Sequence, residues 1–199
     1  LVLCGAVPVY VNPQTDKRLG ISLGMAMADV KAAIETHPGA KAVLVNNPTY
    51  YGICSHIREI VRLAHGKGMK VLADEAHGAH FYFGEGLPKS AMAAGADMAA
   101  ISMHKSGGSL TQSSLLAIGP GVNEGYVRKV INLTQTTSGS YLLMVSLDIS
   151  RKNLATRGRE IFAKVNELAQ YARDEINDIG DYYAYSRELR NGDTIYDFD

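Results

Sequence analysis

The chain lacks an excess of either charge: Lys and Arg number 20, and Asp and Glu number 20. This balance offers no electrostatic footing for nucleic acid or for an anionic membrane surface. No apolar run approaches the roughly 20 residues that a membrane-spanning helix needs. Cysteines are scarce, with only Cys4 and Cys54 in 199 residues. A disulfide framework needs more cysteines in a shorter chain, so both read as small buried hydrophobes in a reducing compartment. The apolar stretch Leu1 to Val11 has no basic segment before it, unlike a secretory signal, which predicts a cytoplasmic location. Internal repeats and low-complexity segments are missing too. What remains is a chain with 46% apolar residues, long enough for one domain with a real core.

Five short apolar runs predict strands: Leu3 to Val11, Ala42 to Asn46, Lys70 to Ala73, Met98 to Ser102, and Ser114 to Ile118. Most are continuous rather than alternating, as in strands covered on both faces. Helical segments lie between several of them. Met27 to Thr36 stops at His37-Pro38-Gly39, Ser55 caps a segment running to His65, and Lys89 to Ala94 stops at Gly95. The alternation predicts an α/β fold, a mainly parallel sheet with helices on both faces. Ligands of such sheets gather at the carboxyl ends of the strands. Further on, Asn123 to Leu133 and Tyr141 to about Ile179 read as helices, and Ile161, Val165, Leu168 and Tyr171 fall on one helical face expected to pack in the core. Gly192-Asp193 suggests a turn before the strand-like Thr194 to Asp199. The chain opens on Leu inside an apolar stretch and closes inside an alternating one, so a piece of a longer protein is expected.

Two of the predicted strands end in chemistry. Lys70-Val71-Leu72-Ala73 runs into Asp74-Glu75-Ala76-His77, and Met98-Ala99-Ala100-Ile101 runs into Ser102-Met103-His104-Lys105. Asp-Glu-Ala-His after a strand is also the magnesium box of a helicase class. That reading needs a G-x-x-x-x-G-K-[ST] phosphate loop, and neither Gly66-Lys67-Gly68 nor Gly39-Ala40-Lys41 fits. A metal site on Asp74, His77 and His80 is a second reading, but His-x-x-His spacing is common and no further ligand cluster appears, so no metal is expected.

A third reading uses all the parts. Pyridoxal phosphate takes a lysine as its covalent anchor and an acidic partner that keeps its ring nitrogen protonated, which makes the ring an electron sink. Asp74 and Lys105, at separate strand ends, can grip opposite sides of one flat ring. Ala76 is small enough to let the ring lie against the backbone. His77 can orient the ring, and Ser102 and His104 can bind phosphate through a hydroxyl and an imidazole.

At these residues the chain resembles the Orn/Lys/Arg decarboxylase major domain. The resemblance rests on the run Asp74 to Phe81, on Ser90-Ala91-Met92 and Gly95-Ala96-Asp97, on Ser102-Met103-His104-Lys105, and on Thr111-Gln112-Ser113-Ser114. Asn47-Pro48-Thr49-Tyr50-Tyr51-Gly52 and Ser138 to Leu143 are similar to family segments as well. The resemblance implies a pyridoxal-phosphate enzyme of the aspartate-aminotransferase fold, with Lys105 forming the Schiff base and Asp74 meeting the pyridine nitrogen. It puts Ala76 and His77 along the ring and Ser102 and His104 near the phosphate, with Thr49 and Tyr50 as further lining residues or simply turn residues around Pro48. His104 is also a candidate proton donor.

The resemblance further implies a homodimer in polyamine metabolism. Residues 1–199 then form part of the cofactor domain, without the family's upstream phosphate loop and without its small C-terminal domain, so this polypeptide alone is expected to have weak activity or none. The expected reaction is decarboxylation of arginine, lysine or ornithine to its amine. Rival readings are an aminotransferase or carbon–sulfur lyase on the same fold, or a non-catalytic binding or assembly domain, because fold does not fix reaction.

Overall fold

The computed structural model describes residues 2–199. Its centre is a four-stranded sheet in the order β3 (Ala42–Asn46), β5 (Lys70–Asp74), β6 (Met98–Ile101) and β7 (Leu115–Ile118). The first three strands are parallel, and β7 closes one edge antiparallel to β6. Two small antiparallel pairs flank it: β1 (Thr15–Asp16) with β2 (Ile21–Ser22), and β4 (Ile53–Cys54) with β8 (Asp197–Phe198). The α/β class and the mainly parallel sheet agree with the sequence.

The helices form where their residues direct. In α2 (Ile57–Gly66), Ile57, Ile60, Val61 and Ala64 share one face and are all buried, while Arg62 pairs with Glu59 on the other. The cap is His56, whose Nδ1 accepts the Glu59 N–H, one residue beyond the expected Ser55. α1 (Met27–Thr36) matches its expected span and buries Val30 and Ile34. α3 (Ala91–Ala94) starts on the Ser90 hydroxyl, which accepts the Ala93 N–H, and stops at Gly95, whose φ of +99° is open to glycine at little cost. α2 packs on β3 and β5, α3 packs on β6, and α1 packs on α2.

These three helices cover one face of the sheet. The other face is only partly covered by the described residues: Leu44 is 62% exposed, and Ala100 and Leu116 are exposed too. The expected helical cover on both faces is therefore met on one. Continuous apolar strands report that both faces suit burial; they do not say which residues supply the cover.

Three other expectations change. Leu3 to Val11 is not a strand: Val2–Cys4 is a 3-10 turn and the rest is unpaired, with Leu3 94% and Val7 90% exposed. Pro8 and Pro13 remove ladder donors from this stretch. Cys4 is exposed, whereas Cys54 is buried as expected, and its thiol pKa is pushed up by burial and by Asp199, Asp197 and Glu75. Asn123 to Leu133 is met by α5 (Glu124–Thr134), and the long helix α6 (Tyr141–Asp178) buries Ser150, Leu154, Gly158 and Phe162; of the predicted face Ile161 packs against the core, while Val165, Leu168 and Tyr171 are exposed. Ser150 and Gly158 let the helix approach closely; a Cβ on Gly158 would stand 2.7 Å from Phe83 Cβ. At a rise of about 1.5 Å per residue the helix outruns the body it packs on. Among the described residues, no helix is long and apolar enough to cross a membrane.

Asp97, just before β6, ties sheet to helix. It is buried; its Oδ2 accepts the Val71 N–H and meets His65 Nε2, each at 2.8 Å, and its Oδ1 accepts from Lys70 Nζ at 2.8 Å. Burial alone would raise its pKa, but the hydrogen bonds from Lys70, Val71 and His65 outweigh burial and hold it at about 2. A carboxyl depressed in the folded state contributes stability above the ordinary carboxylate range and loses it as pH falls through the folded pKa. Urea unfolding should therefore show stability falling between about pH 4 and pH 2, with Asp97 contributing about 2 kcal/mol of the fall. Asp97→Asn should be less stable than the parent at neutral pH, and the difference should shrink across that window.

Candidate active site

Parallel pairing sets two strand ends side by side. The register pairs Asn46 with Asp74 and Asp74 with Ala100, so β3, β5 and β6 finish together. The Glu75 N–H then donates to the Ala100 carbonyl at 2.9 Å, carrying the β5 exit along β6. β6 leads through Ser102 into α4 (Met103–Ser106), a single turn that bears His104 and Lys105.

Strand alternation sorts the next two carboxylates. Asp74 is exposed at the sheet end, and its Oδ1 accepts the Ala76 N–H at 3.2 Å. Glu75 faces the helical layer and is wholly buried. Lys105 is exposed, and its Nζ lies 3.2 Å from His77 Nε2. Burial lowers the His77 pKa, and the Lys105 ammonium lowers it further against the opposing pull of Asp74 and Asp199. A neutral His77 can accept a hydrogen bond from the ammonium. The Tyr50 ring meets the His77 ring edge-on, with centroids 5.6 Å apart. Among the described residues no ion pair joins Asp74 to Lys105, so carboxylate and amine share one shelf without neutralising each other.

The predicted residues thus fall into two groups. Asp74, Ala76, His77 and Lys105 come together, and Tyr50 joins them. His104 turns aside: its Nδ1 bonds the Ser113 carbonyl at 3.0 Å, and its own N–H reaches the same oxygen. Ser102 caps α4 through its backbone only, leaving its hydroxyl half-buried. Thr49 serves the turn, its hydroxyl accepting the Ile53 N–H. A cavity of about 240 Å³ at the start of α2, lined by Asn47, Ser55, Arg58, Lys89 and Tyr196 among others, contains none of the strand-end group. Among the described residues no three His, Cys, Asp or Glu side chains are grouped to hold a metal ion.

Behind the shelf lie two further residues: Glu75, which had no expected role, and His80, which was weighed only as a metal ligand. Glu75 Oε1 accepts the Ala91 N–H at 2.7 Å, and Tyr82 donates to Oε2. His80 lies between Asp199 and Ser106. The signal for Glu75 was available: with a period of two, one of two successive acids at a strand end must face inward. Nothing in local sequence links His80 to Asp199, 119 residues away.

A mainly parallel sheet with an acid and an amine at adjacent strand ends defines an α/β domain of the class whose ligands gather at strand ends. The model of the family Orn/Lys/Arg decarboxylase, major domain, matches residues 1–197, and the chain belongs to that family. It is 49% identical over its whole length to an arginine decarboxylase of Halalkalibacterium halodurans and 46% identical to one of Bacillus cereus, covering 41% and 44% of those proteins. The chain thus spans about two-fifths of the length of these curated relatives. Its fold matches a solved lysine decarboxylase of Pseudomonas aeruginosa with a TM-score of 0.76 at 21% identity, over 89% of this chain and 27% of that one.

Burial raises the Glu75 pKa to about 7, against the pull of Tyr82, the Ala91 N–H and His80. A carboxyl raised in the folded state stabilises the fold at acid pH and loses that contribution as pH rises through the folded value. Stability should decline from about pH 4.5 to pH 7 by about 3 kcal/mol through this group. Glu75→Gln should remove that decline while leaving the acid limb set by Asp97, as read by urea unfolding at several pH values.

Proposed function

We propose that residues 1–199 form part of the cofactor domain of a pyridoxal-phosphate-dependent decarboxylase acting on a basic amino acid, with arginine the first substrate to test. One observation carries the proposal: Asp74 and Lys105 sit at neighbouring strand ends, unpaired with each other, in a chain of the decarboxylase family. The names of the relatives support arginine. Their greater length supports further segments that complete the site, a phosphate loop and a smaller domain, so the 199-residue chain alone should turn over weakly or not at all.

The donor set suits the cofactor. Asp74 gives one oxygen to the Ala76 N–H and keeps its second for a protonated ring nitrogen. Lys105 offers an exposed amine, and Ala76 presents little bulk beside it. Ser102 keeps its hydroxyl uncommitted to the helix cap and suits the phosphate. His104, with Nδ1 directed at Ser113, has Nε2 left for phosphate or for a proton transfer. When bound, pyridoxal phosphate supplies an electron sink for the bond broken at the substrate Cα. The protein's part is to hold the ring nitrogen charged at Asp74, to keep Lys105 beside a neutral His77, and to orient the ring against His77.

A homodimer in the cytoplasm belongs to the same proposal. Leu142, Val145 and Ile149 share an exposed stripe of α6 and support a protein partner there. Val145→Asp with Ile149→Asp should shift sedimentation towards monomer if that stripe carries the dimer.

Added pyridoxal phosphate should give the chain an absorption band at about 420 nm. Lys105→Ala should abolish it, and Asp74→Asn should weaken binding about tenfold. An unchanged band in Lys105→Ala would exclude that lysine. A protein carrying this chain with segments matching the rest of its relatives should release carbon dioxide from arginine, lysine or ornithine. A keto acid without carbon dioxide would instead favour an aminotransferase.

A further inference from the structure

The shelf rests on a second histidine. His80 is buried, with its ring against Phe81 and Phe162 at centroid distances of 4.7 and 5.6 Å. Both ring nitrogens are engaged: Nε2 lies 2.5 Å from Asp199 Oδ1, and Nδ1 lies 3.1 Å from Ser106 Oγ. The Ser106 hydroxyl donates onward to the His77 carbonyl at 3.3 Å.

An ionised carboxylate only accepts, so Nε2 carries the hydrogen that faces Asp199. Ser106 Oγ lies within reach of both Nδ1 and the His77 carbonyl and so links the ring to that backbone. Asp199 is the ionisable group bonded to His80, and Glu75 is the other carboxylate whose charge it influences. The chain of bonds runs outward from His80 to Asp199 on one side. On the other it runs through Ser106 to the backbone of His77. Ser106 directly follows Lys105, and the His77 ring stands at Lys105 Nζ.

We infer that His80, held by Asp199, is a positioning residue that locks Ser106 and the His77 backbone and so sets how His77 faces Lys105. It touches neither the amine nor any ligand of the shelf. The inference rests on the reading of Lys105 as the cofactor lysine, and it gives the His-x-x-His spacing a purpose other than metal binding. It also gives the strand pair β4–β8 a role. Asp199 follows β8, and its N–H donates to the Gly52 carbonyl at 2.8 Å, so this pair delivers the carboxylate that holds His80.

Two measurements on the 199-residue chain test this. Side-chain ¹⁵N NMR should show His80 Nε2 protonated at neutral pH, with its N–H exchanging faster in Asp199→Asn. A His80 Nε2 without its proton in the parent overturns the inference whatever the role of Lys105. Second, the chain is labelled with pyridoxal phosphate, reduced with borohydride and mapped by mass spectrometry, with the exposed Lys129 as internal reference. Asp199→Asn and Ser106→Ala should each lower labelling of Lys105 relative to Lys129 about fivefold. Ser106→Thr, which keeps the hydroxyl, should restore the ratio. General loosening would not be repaired by a hydroxyl. Ratios unchanged in Asp199→Asn and Ser106→Ala overturn the positioning role. If Lys105 is unlabelled in the parent, the cofactor reading fails, and a positioning role in it fails too; the NMR result still decides whether Asp199 holds the His80 ring.

Discussion

The register between β5 and β6 is the constraint on which the site depends. Pairing Asp74 with Ala100 brings the β5 exit beside the turn that carries Lys105. A slip of one residue would exchange the faces of every side chain on the strand, sending Asp74 inward and Glu75 out. Burial fixes the register: Val71, Ala73, Ala99 and Ile101 all face the helical layer. Asp97 fixes it a second time, because it reaches from the start of β6 to the Val71 N–H while binding Lys70 and His65. The apolar pattern and one buried carboxylate thus specify the same alignment.

That constraint gives neighbouring acids opposite lives. Asp74 stays at the open strand end with one oxygen committed. Glu75 goes into the core, where burial raises its pKa and the Tyr82 hydroxyl and the start of α3 take up its oxygens. One acid is kept available and the next is used to hold the loop that carries His77. The two histidines of that loop divide in the same way: His77 meets Lys105 at the surface, while His80 is enclosed between aromatic rings.

Much of this was legible in sequence because it is local. Continuous apolar runs bounded by polar residues marked β3, β5, β6 and β7, and the stop signals His37-Pro38-Gly39 and Gly95 marked the ends of α1 and α3. The placement of Asp74 and Lys105 at or just past strand ends was legible for the same reason. Errors arose where the outcome depends on partners distant in sequence. Leu3 to Val11 has strand composition but no paired strand. The apolar face of α6 was assigned by size, although Ser150 and Gly158 set the contact by being small. The bond from His104 Nδ1 to the Ser113 carbonyl was equally hidden, though it leaves Nε2 for a ligand.

The same distinction explains why the supporting residues were harder to find than the shelf itself. A ligand-facing group must be exposed at an element's end, and that position can be read from a periodic pattern. A supporting group must be buried and matched, and its partner can lie anywhere in the chain. His80 and Asp199 are 119 residues apart, yet each supplies what the other needs: a carboxylate that can only accept, and a ring N–H that must donate. Burial then makes the pair matter, because a polar group cut off from water costs free energy whenever a partner is missing. The loop from Glu75 to Tyr82 is therefore held at Glu75, at Tyr82 and at His80, and the free end of that arrangement is the His77 ring against Lys105.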